Sequence, residues 1–347
     1  MADLGNSASL RGGTGKGGPL RLGFLLFPGF PMACLTSAIE PLRAANEITG
    51  HKVFAWTLIG EEKVPVQSSA EVRFDPDVAL ADASGLDCLF LLSMPQSHFA
   101  HARQSTAQIR WLDRSGVILG GFSGGVFPLV RSGVMAGRAV SVHWCYEAAF
   151  RAEFPQIEAS QSVIVRDGRR YSASGAGAVF DLMLHLIEER LGRETMTEVA
   201  CWFQHPFVRS DDTTQKVPVQ KLGGTDDMLP DMVKTAIQVF ADHIEDPVRI
   251  GDVAEVLDVS ERHLERVFKG ATGQSPLQYY RLMRLKKARQ KVLYSTQSIT
   301  QIAHSVGYAS SSPMTRHYAE AFGVYPADER RKLVGMRGLS GAMPPTD

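Results

Sequence analysis

Two hydrophobic periods divide this chain, and one layer of secondary structure cannot satisfy both. From Arg21 to Gly192, short unbroken apolar runs alternate with helical patterns; after Asp231 only short, closely spaced helical patterns remain. The runs are Leu22–Phe27, Val53–Ile59, Leu86–Leu92 and Val117–Phe122. Unbroken runs of this length are typical of strands buried on both faces. Helical patterns separate them at Ala33–Glu47, Phe99–Arg114 and Val126–Val134. Strands alternating with helices predict βαβ units around a mainly parallel, flavodoxin-like α/β sheet. Farther on, Val163–Val165 and Arg170–Ser172 flank Asp167-Gly168, a hairpin signal, and Ala178–Leu191 closes the unit as a helix.

Between the two periods, Val208–Pro230 is polar and turn-rich and reads as a linker. The chain is therefore divided into a tail (1–20), an α/β domain (21–207), a linker (208–230), an all-α domain (231–335) and a second tail (336–347). Met1–Leu20 carries six glycines and no apolar stretch, so it reads as a flexible tail, not a secretory signal. With 44% apolar and 21% charged residues, neither a disordered nor a fibrous chain is expected. No apolar run approaches the roughly 18 residues of a membrane helix, so a cytoplasmic protein with no membrane partner is expected. Cys34, Cys88, Cys145 and Cys201 are scattered and form no CxxC pair, which argues against a disulfide framework or zinc ribbon. His98 and His101 have helical ligand spacing but no third ligand nearby. No metal or cofactor is expected.

The net charge is 37 − 37 = 0, and this average hides a gradient. From Asp231 to Ser260 two basic residues face seven acidic ones, 2 − 7 = −5; from Glu261 to Lys291 nine face two, 9 − 2 = +7. Such clustering inside a helical domain is the footprint of phosphate-backbone binding. Two helix-turn-helix patterns lie there. In the first, Val253, Ala254 and Leu257 give an inward face. Asp258 sits at the turn, where Asp tolerates left-handed geometry, and Ser260 is an N-cap. Leu264, Val267 and Phe268 then point inward, and Arg262, Glu265, Arg266 and Lys269 outward, on a helix fit for the major groove. In the second, Ile302, Ala303 and Val306 are inward and Gly307 ends the helix. Serines 310–312 are read as caps, and Pro313 falls in the first turn. Between them Gln278–Leu293 is a helix carrying Arg281, Arg284, Lys286, Lys287, Arg289 and Lys291.

This arrangement resembles the AraC/XylS family of transcription regulators over about Met232–Arg331. It is carried by Ile250–Ala254, Ser260, Leu264, Arg266, Phe268, Gly273, Pro276, Tyr279, Arg284, Ile302–Ala303, Gly307–Tyr308 and Phe322-Gly323-x-x-Pro326. The resemblance implies two helix-turn-helix units joined by a central helix. Arg262, Glu265 and Arg266 would lie on the first recognition helix, and Ser311, Ser312, Thr315 and Arg316 on the second. Pro313 and Met314 depart from the usual front of the second helix, where poorer base readout is expected. The expected DNA contacts are Ser260, Arg262, Glu265, Arg266, Lys269, Arg284, Lys286, Ser311, Ser312, Thr315 and Arg316.

In the first domain, Gly120-Gly-Phe-Ser123-Gly-Gly-Val-Phe127 follows a strand and precedes a helix, as a nucleophile elbow does. Ser123 is either a catalytic serine with His143 as base, or the cap of a tight glycine turn. The domain resembles the class I glutamine-amidotransferase-like superfamily, PfpI/ThiJ group. Gly23–Pro28, Ile39–Asn46, Gly121–Phe127, Gly133, Arg138, His143-Trp144 and Ser174–Gly177 carry that resemblance. Enzymes of that group place cysteine at the elbow, and their nearby acid falls near Cys34 here. A hydroxyl is the weaker nucleophile.

The fusion resembles the GlxA-like regulators, in which this fold binds an effector, so the protein is expected not to be an enzyme. The alternative is a PfpI-type hydrolase or hydratase with an appended DNA-binding domain. Ser123, Gly124, His143, Trp144 and Trp202 are the candidate effector residues, with backbone donors from Gly175–Gly177. Similar regulators sense nitrogen compounds, and the Ile39–Asn46 and Trp202–Pro206 stretches look most like the betaine/carnitine branch. Either tryptophan would suit a quaternary ammonium. The implied partners are a double-stranded DNA operator, a small-molecule effector, a second copy in a homodimer, and RNA polymerase.

Overall fold

The computed structural model describes residues 18–205, 207–215 and 229–336. The tails expected at 1–17 and 337–347, and the linker expected at 216–228, lie outside the described residues. The chain divides into two compact units after Gln215.

In the first unit the order is β1 (Leu20–Leu26), α1 (Met32–Thr49), β2 (Phe54–Gly60), β3 (Val66–Gln67), β4 (Arg73–Phe74) and β5 (Val78–Ala79). Then come β6 (Cys88–Ser93), α2 (Ala102–Arg114), β7 (Ile118–Ser123), α3 (Val126–Arg131), β8 (Val140–Ser141) and α4 (Glu147–Glu153). β9 (Ala159–Ser160), β10 (Ile164–Asp167), β11 (Arg170–Ala173), α5 (Ala176–Leu191) and α6 (Arg193–Trp202) complete it. Seven strands form the main sheet in the order β10-β11-β7-β6-β1-β2-β5, parallel except for the β10–β11 hairpin. The four apolar runs are its central strands. Leu22, Phe24 and Leu26 pack under α1, α5 and α6, and Phe90 stacks on Phe122 at 4.6 Å. The alternate residues Leu25, Leu89 and Leu91 are equally buried, because α3 lies on the opposite face against β6 and β7. Burial on both faces is why these strands show no polar alternation. His98 and His101 fall ahead of α2, each with its own partner, Gln96 and Glu62.

The linker begins later than composition suggests. Residues 208–215 form an extended strap on the first unit. The Val163 amide donates to the Thr213 carbonyl (2.7 Å), the Gln215 amide to the Gln161 carbonyl (2.8 Å), and Arg166 pairs with Asp211 (2.6 Å). A strap held by polar contacts and a free linker have the same polar, turn-rich composition.

The second unit is helical in its described part: α7 (Asp231–Asp242), α8 (Ile250–Val256), α9 (Glu261–Thr272), α10 (Pro276–Tyr294), α11 (Ile299–His304), α12 (Ser311–Phe322) and α13 (Pro326–Met336). It has two small cores. Phe240, Val253, Ala254, Leu264, Phe268 and Tyr280 build the first; Leu285, Ala288, Val292, Ile302, Val306, Met314 and Tyr318 the second. α10 feeds both, with its N-terminal tyrosines in one and its C-terminal half in the other.

Candidate effector pocket and DNA interface

The elbow is built as its sequence implies. Ser123 ends β7 with φ +54°, a left-handed backbone that a non-glycine residue holds only when its surroundings impose it. The surroundings are tight: a Cβ on Gly124 would strike the Ser93 carbonyl, and one on Gly125 the Leu91 carbonyl. Ser123 is only 5% exposed. β11 runs parallel beside β7 with Ala173 level with Phe122. Ser174 and Gly175, the N-cap of α5, therefore stand next to the elbow. α5 begins at Ala176, and its N-cap offers no side-chain acceptor, so the first-turn amides are left for another partner.

His143 stands in the loop between β8 and α4, its ring 3.4 Å from where a Cβ on Gly175 would be. Its Nδ1 accepts the Cys145 amide (3.3 Å) and lies 2.8 Å from Cys145 Sγ. An accepting Nδ1 leaves the proton of the neutral ring on Nε2. Burial holds the His143 pKa below the usual imidazole value. Trp144 and Tyr146 flank the ring at 5.6 and 5.3 Å. Among the described residues no hydrogen bond joins Ser123 to His143, so the serine–base pair is not assembled. Cys34, at the place of the family's acid, is a buried thiol whose pKa burial pushes up to about 12.

Trp202 does not join this group. Met196, Val199 and Ala200 turn one face of α6 onto α1 and α5, which leaves Trp202 51% exposed at the helix end. Sequence reasoning missed three residues near the elbow. Asp181, fully buried on α5, takes His205 Nε2 (2.6 Å) and Arg209 Nε (2.5 Å), and the Arg209 guanidinium lies against Gly177. Gln215 hydrogen-bonds both peptide groups that flank His143. The polar strap carries Arg209 and Gln215, and no residue pattern marks them.

In the second unit Asp258 holds φ +53° at the first turn, and Ser260 caps α9 by accepting the His263 amide (3.2 Å). Arg262, Glu265, Arg266 and Lys269 are all exposed on the face opposite Leu264 and Phe268. On α12, Ser312 and Arg316 are exposed and Ser311 and Thr315 half-buried. Ser310 is the N-cap there but makes no side-chain cap bond, so the serine cap expected for this helix is not formed.

The basic face of α10 needs a larger correction. Arg284, expected to contact DNA, turns inward. It donates to the Val306 (2.7 Å) and Gly307 (2.6 Å) carbonyls and its guanidinium sits 4.6 Å from the centre of the Tyr308 ring. Arg289 pairs with Glu329, and Lys291 is buried beside the Ser305 carbonyl. Arg281, Lys286 and Lys287 carry no ion pair among the described residues. The two sets interleave along the helix, so charge counting along α10 could not distinguish them.

Comparison with known proteins follows this geometry. A helix-turn-helix domain family matches residues 253–332. The HTH-type transcriptional regulator GbdR of Pseudomonas aeruginosa is 31% identical over 90% of this chain and 84% of its own length. The HTH-type transcriptional regulator GlxA of Rhizobium meliloti is 30% identical over 90% of this chain and 96% of its own. The chain belongs to the GlxA-like AraC/XylS regulators. It is a DNA-binding transcription regulator. A crystal structure of an AraC family transcriptional regulator from Pseudomonas putida is 24% identical, covers 53% of this chain and all of that chain, and has a TM-score of 0.49. Among the described residues of this GlxA-like chain, no helix is long and apolar enough to cross a membrane.

Proposed function

We propose that the elbow of the first unit is a receptor for a small nitrogen-containing metabolite, and that its occupancy controls operator binding by α9 and α12. One observation carries this reading: the strained elbow is kept while its histidine is spent on Cys145 instead of being aligned on Ser123. The elbow is present without the aligned base a hydroxyl nucleophile needs. The open first-turn amides of α5 suit a carboxylate. The Trp144 face suits a quaternary ammonium. A zwitterion of betaine or carnitine type has both ends; an amino acid is the runner-up. DNA readout is assigned to Arg262, Glu265, Arg266 and Lys269 on α9, and to Ser312, Thr315 and Arg316 on α12.

A thermal-shift screen of the full chain against glycine betaine, carnitine, choline, arginine and polyamines tests the receptor. A ligand of the folded state adds about 2.7 kcal/mol at a hundredfold excess over its dissociation constant. Carnitine and betaine should stabilise and choline, which lacks the carboxylate, should not. A flat screen contradicts the reading. The strained φ of Ser123 also favours a second reading, a PfpI-type hydrolase or hydratase. Turnover abolished by Ser123→Ala would establish it. The chain is further proposed to act as a homodimer on paired half-sites; a monomer in sedimentation, with and without DNA, would remove that.

A further inference from the structure

Gln215 is the last residue of the first unit, and its side chain reaches back to the His143 loop. Its Oε1 accepts the Trp144 amide at 2.9 Å, and its Nε2 donates to the Val142 carbonyl at 2.7 Å. These two peptide groups flank His143. A carbonyl before a residue and an amide after it point the same way only when that residue is extended. The primary amide thus pairs with the loop as a neighbouring strand would. It pins the backbone of His143 and so aims the ring that lies against Gly175 and is flanked, tilted, by Trp144 and Tyr146. The rest of the strap is anchored elsewhere: Arg209 on the buried Asp181, Asp211 on Arg166, Thr213 on the Val163 amide. Gln215 is the strap residue whose side chain grips the candidate pocket, and the chain leaves the unit directly after it.

We propose that Gln215 is the positioning residue of the effector site, setting the His143–Trp144 peptide and tying its state to the start of the linker. The proposal deepens the receptor reading above and rests on it for its biological meaning. Any ligand that reshapes the 142–144 backbone must keep or break the two Gln215 bonds. Either outcome changes how firmly the chain is held where it departs for the DNA-binding unit. Pocket occupancy and linker attachment then become one equilibrium, shifted only by a ligand that prefers one of its two states.

Hydrogen exchange by mass spectrometry on the full-length protein without ligand tests this, comparing wild type, Gln215→Ala and Thr213→Ala. Thr213 contributes its backbone carbonyl to the strap, so its alanine variant is the control. Gln215→Ala should speed exchange across residues 142–147 by about tenfold or more, as the loss of two part-buried hydrogen bonds implies, and across 213–216 as well. Thr213→Ala should do neither. A merely structural tether predicts faster exchange at 213–216 alone; that result overturns the proposal, as does an unchanged 142–147 loop. A second arm adds glycine betaine to wild type. Slower exchange at 142–147 supports the link to the effector. If neither betaine nor any screened compound alters exchange there, the receptor reading fails, while the ligand-free comparison still decides the role of Gln215.

Discussion

The two helix-turn-helix halves of this regulator are built from the same parts and use their charges in opposite ways. In the first, the turn is made by Asp258 at φ +53°, the recognition helix α9 is capped by Ser260, and Arg262, Arg266 and Lys269 all reach solvent. In the second, α12 has no side-chain cap, and Arg284, Arg289, Lys291 and Arg330 are spent on carbonyls and carboxylates within the fold. Glu329 alone takes Arg289 and the Tyr318 hydroxyl. Its turn is also crowded: Gly307 has φ +73°, and a Cβ there would collide with Pro247. The difference shows what a cation does near a helix end. Where carbonyls are orphaned and partly shielded, an arginine is more stable capping them than waiting for phosphate. The first half leaves its cations in solvent, and the second, Arg316 apart, engages its arginines within the fold.

This contrast can be broken by mutation. Arg284→Ala should have the largest effect, a loss of stability of about 2–4 kcal/mol, because two charge-assisted bonds vanish and two carbonyls lose their donor. Urea denaturation followed by far-UV circular dichroism would read it; an unchanged midpoint with weakened DNA binding would return Arg284 to the interface. Ser260→Ala should cost about 1 kcal/mol through loss of the α9 cap, whereas Ser310→Ala should cost little, since Ser310 makes no cap bond. Equal effects in thermal melts would erase the asymmetry. Lys286→Ala should leave stability nearly unchanged, weaken specific and random duplexes alike, and lower the salt slope of binding by about 1.

The smallest effect concerns pH. Burial and the nearby Arg281 cation hold the His317 pKa below its usual value, so the folded state resists protonation there. The unfolded chain then binds more protons below about pH 6.5, and stability falls as pH drops through the lowered folded value. His317→Gln should flatten that part of the melting-temperature profile. A profile identical to wild type would assign the acid sensitivity to another group.

Much of this architecture was legible in the sequence, for physical reasons that also explain what was not. The runs Leu22–Phe27, Val53–Ile59, Leu86–Leu92 and Val117–Phe122 are strands because both faces of the sheet are covered, and Val253, Ala254, Leu264, Phe268, Ile302 and Val306 are core because helical spacing admits one apolar stripe. Asp258 and Gly307 were readable because few residues tolerate a positive φ. Long-range polar pairing was not readable. Arg284 meets carbonyls 22 and 23 residues away, and Gln215 meets peptide groups 71 and 73 residues away. No local period records such partners. Trp202 was misjudged because aromatic character says nothing about which face of α6 is inward.

We propose that α9 carries most of the base recognition. The direct measurement is duplex selection from a random library with the full-length protein, followed by titration of wild type, Arg266→Ala and Arg316→Ala on the selected and on a random duplex. Arg266→Ala should lose about 1–3 kcal/mol on the selected duplex, relax preference at one base pair, and bind the random duplex almost as wild type does. Arg316→Ala should lose less. If Arg316→Ala is the more damaging, or if both lose equally on the two duplexes, α9 is not the principal reader and the division between the two halves is wrong.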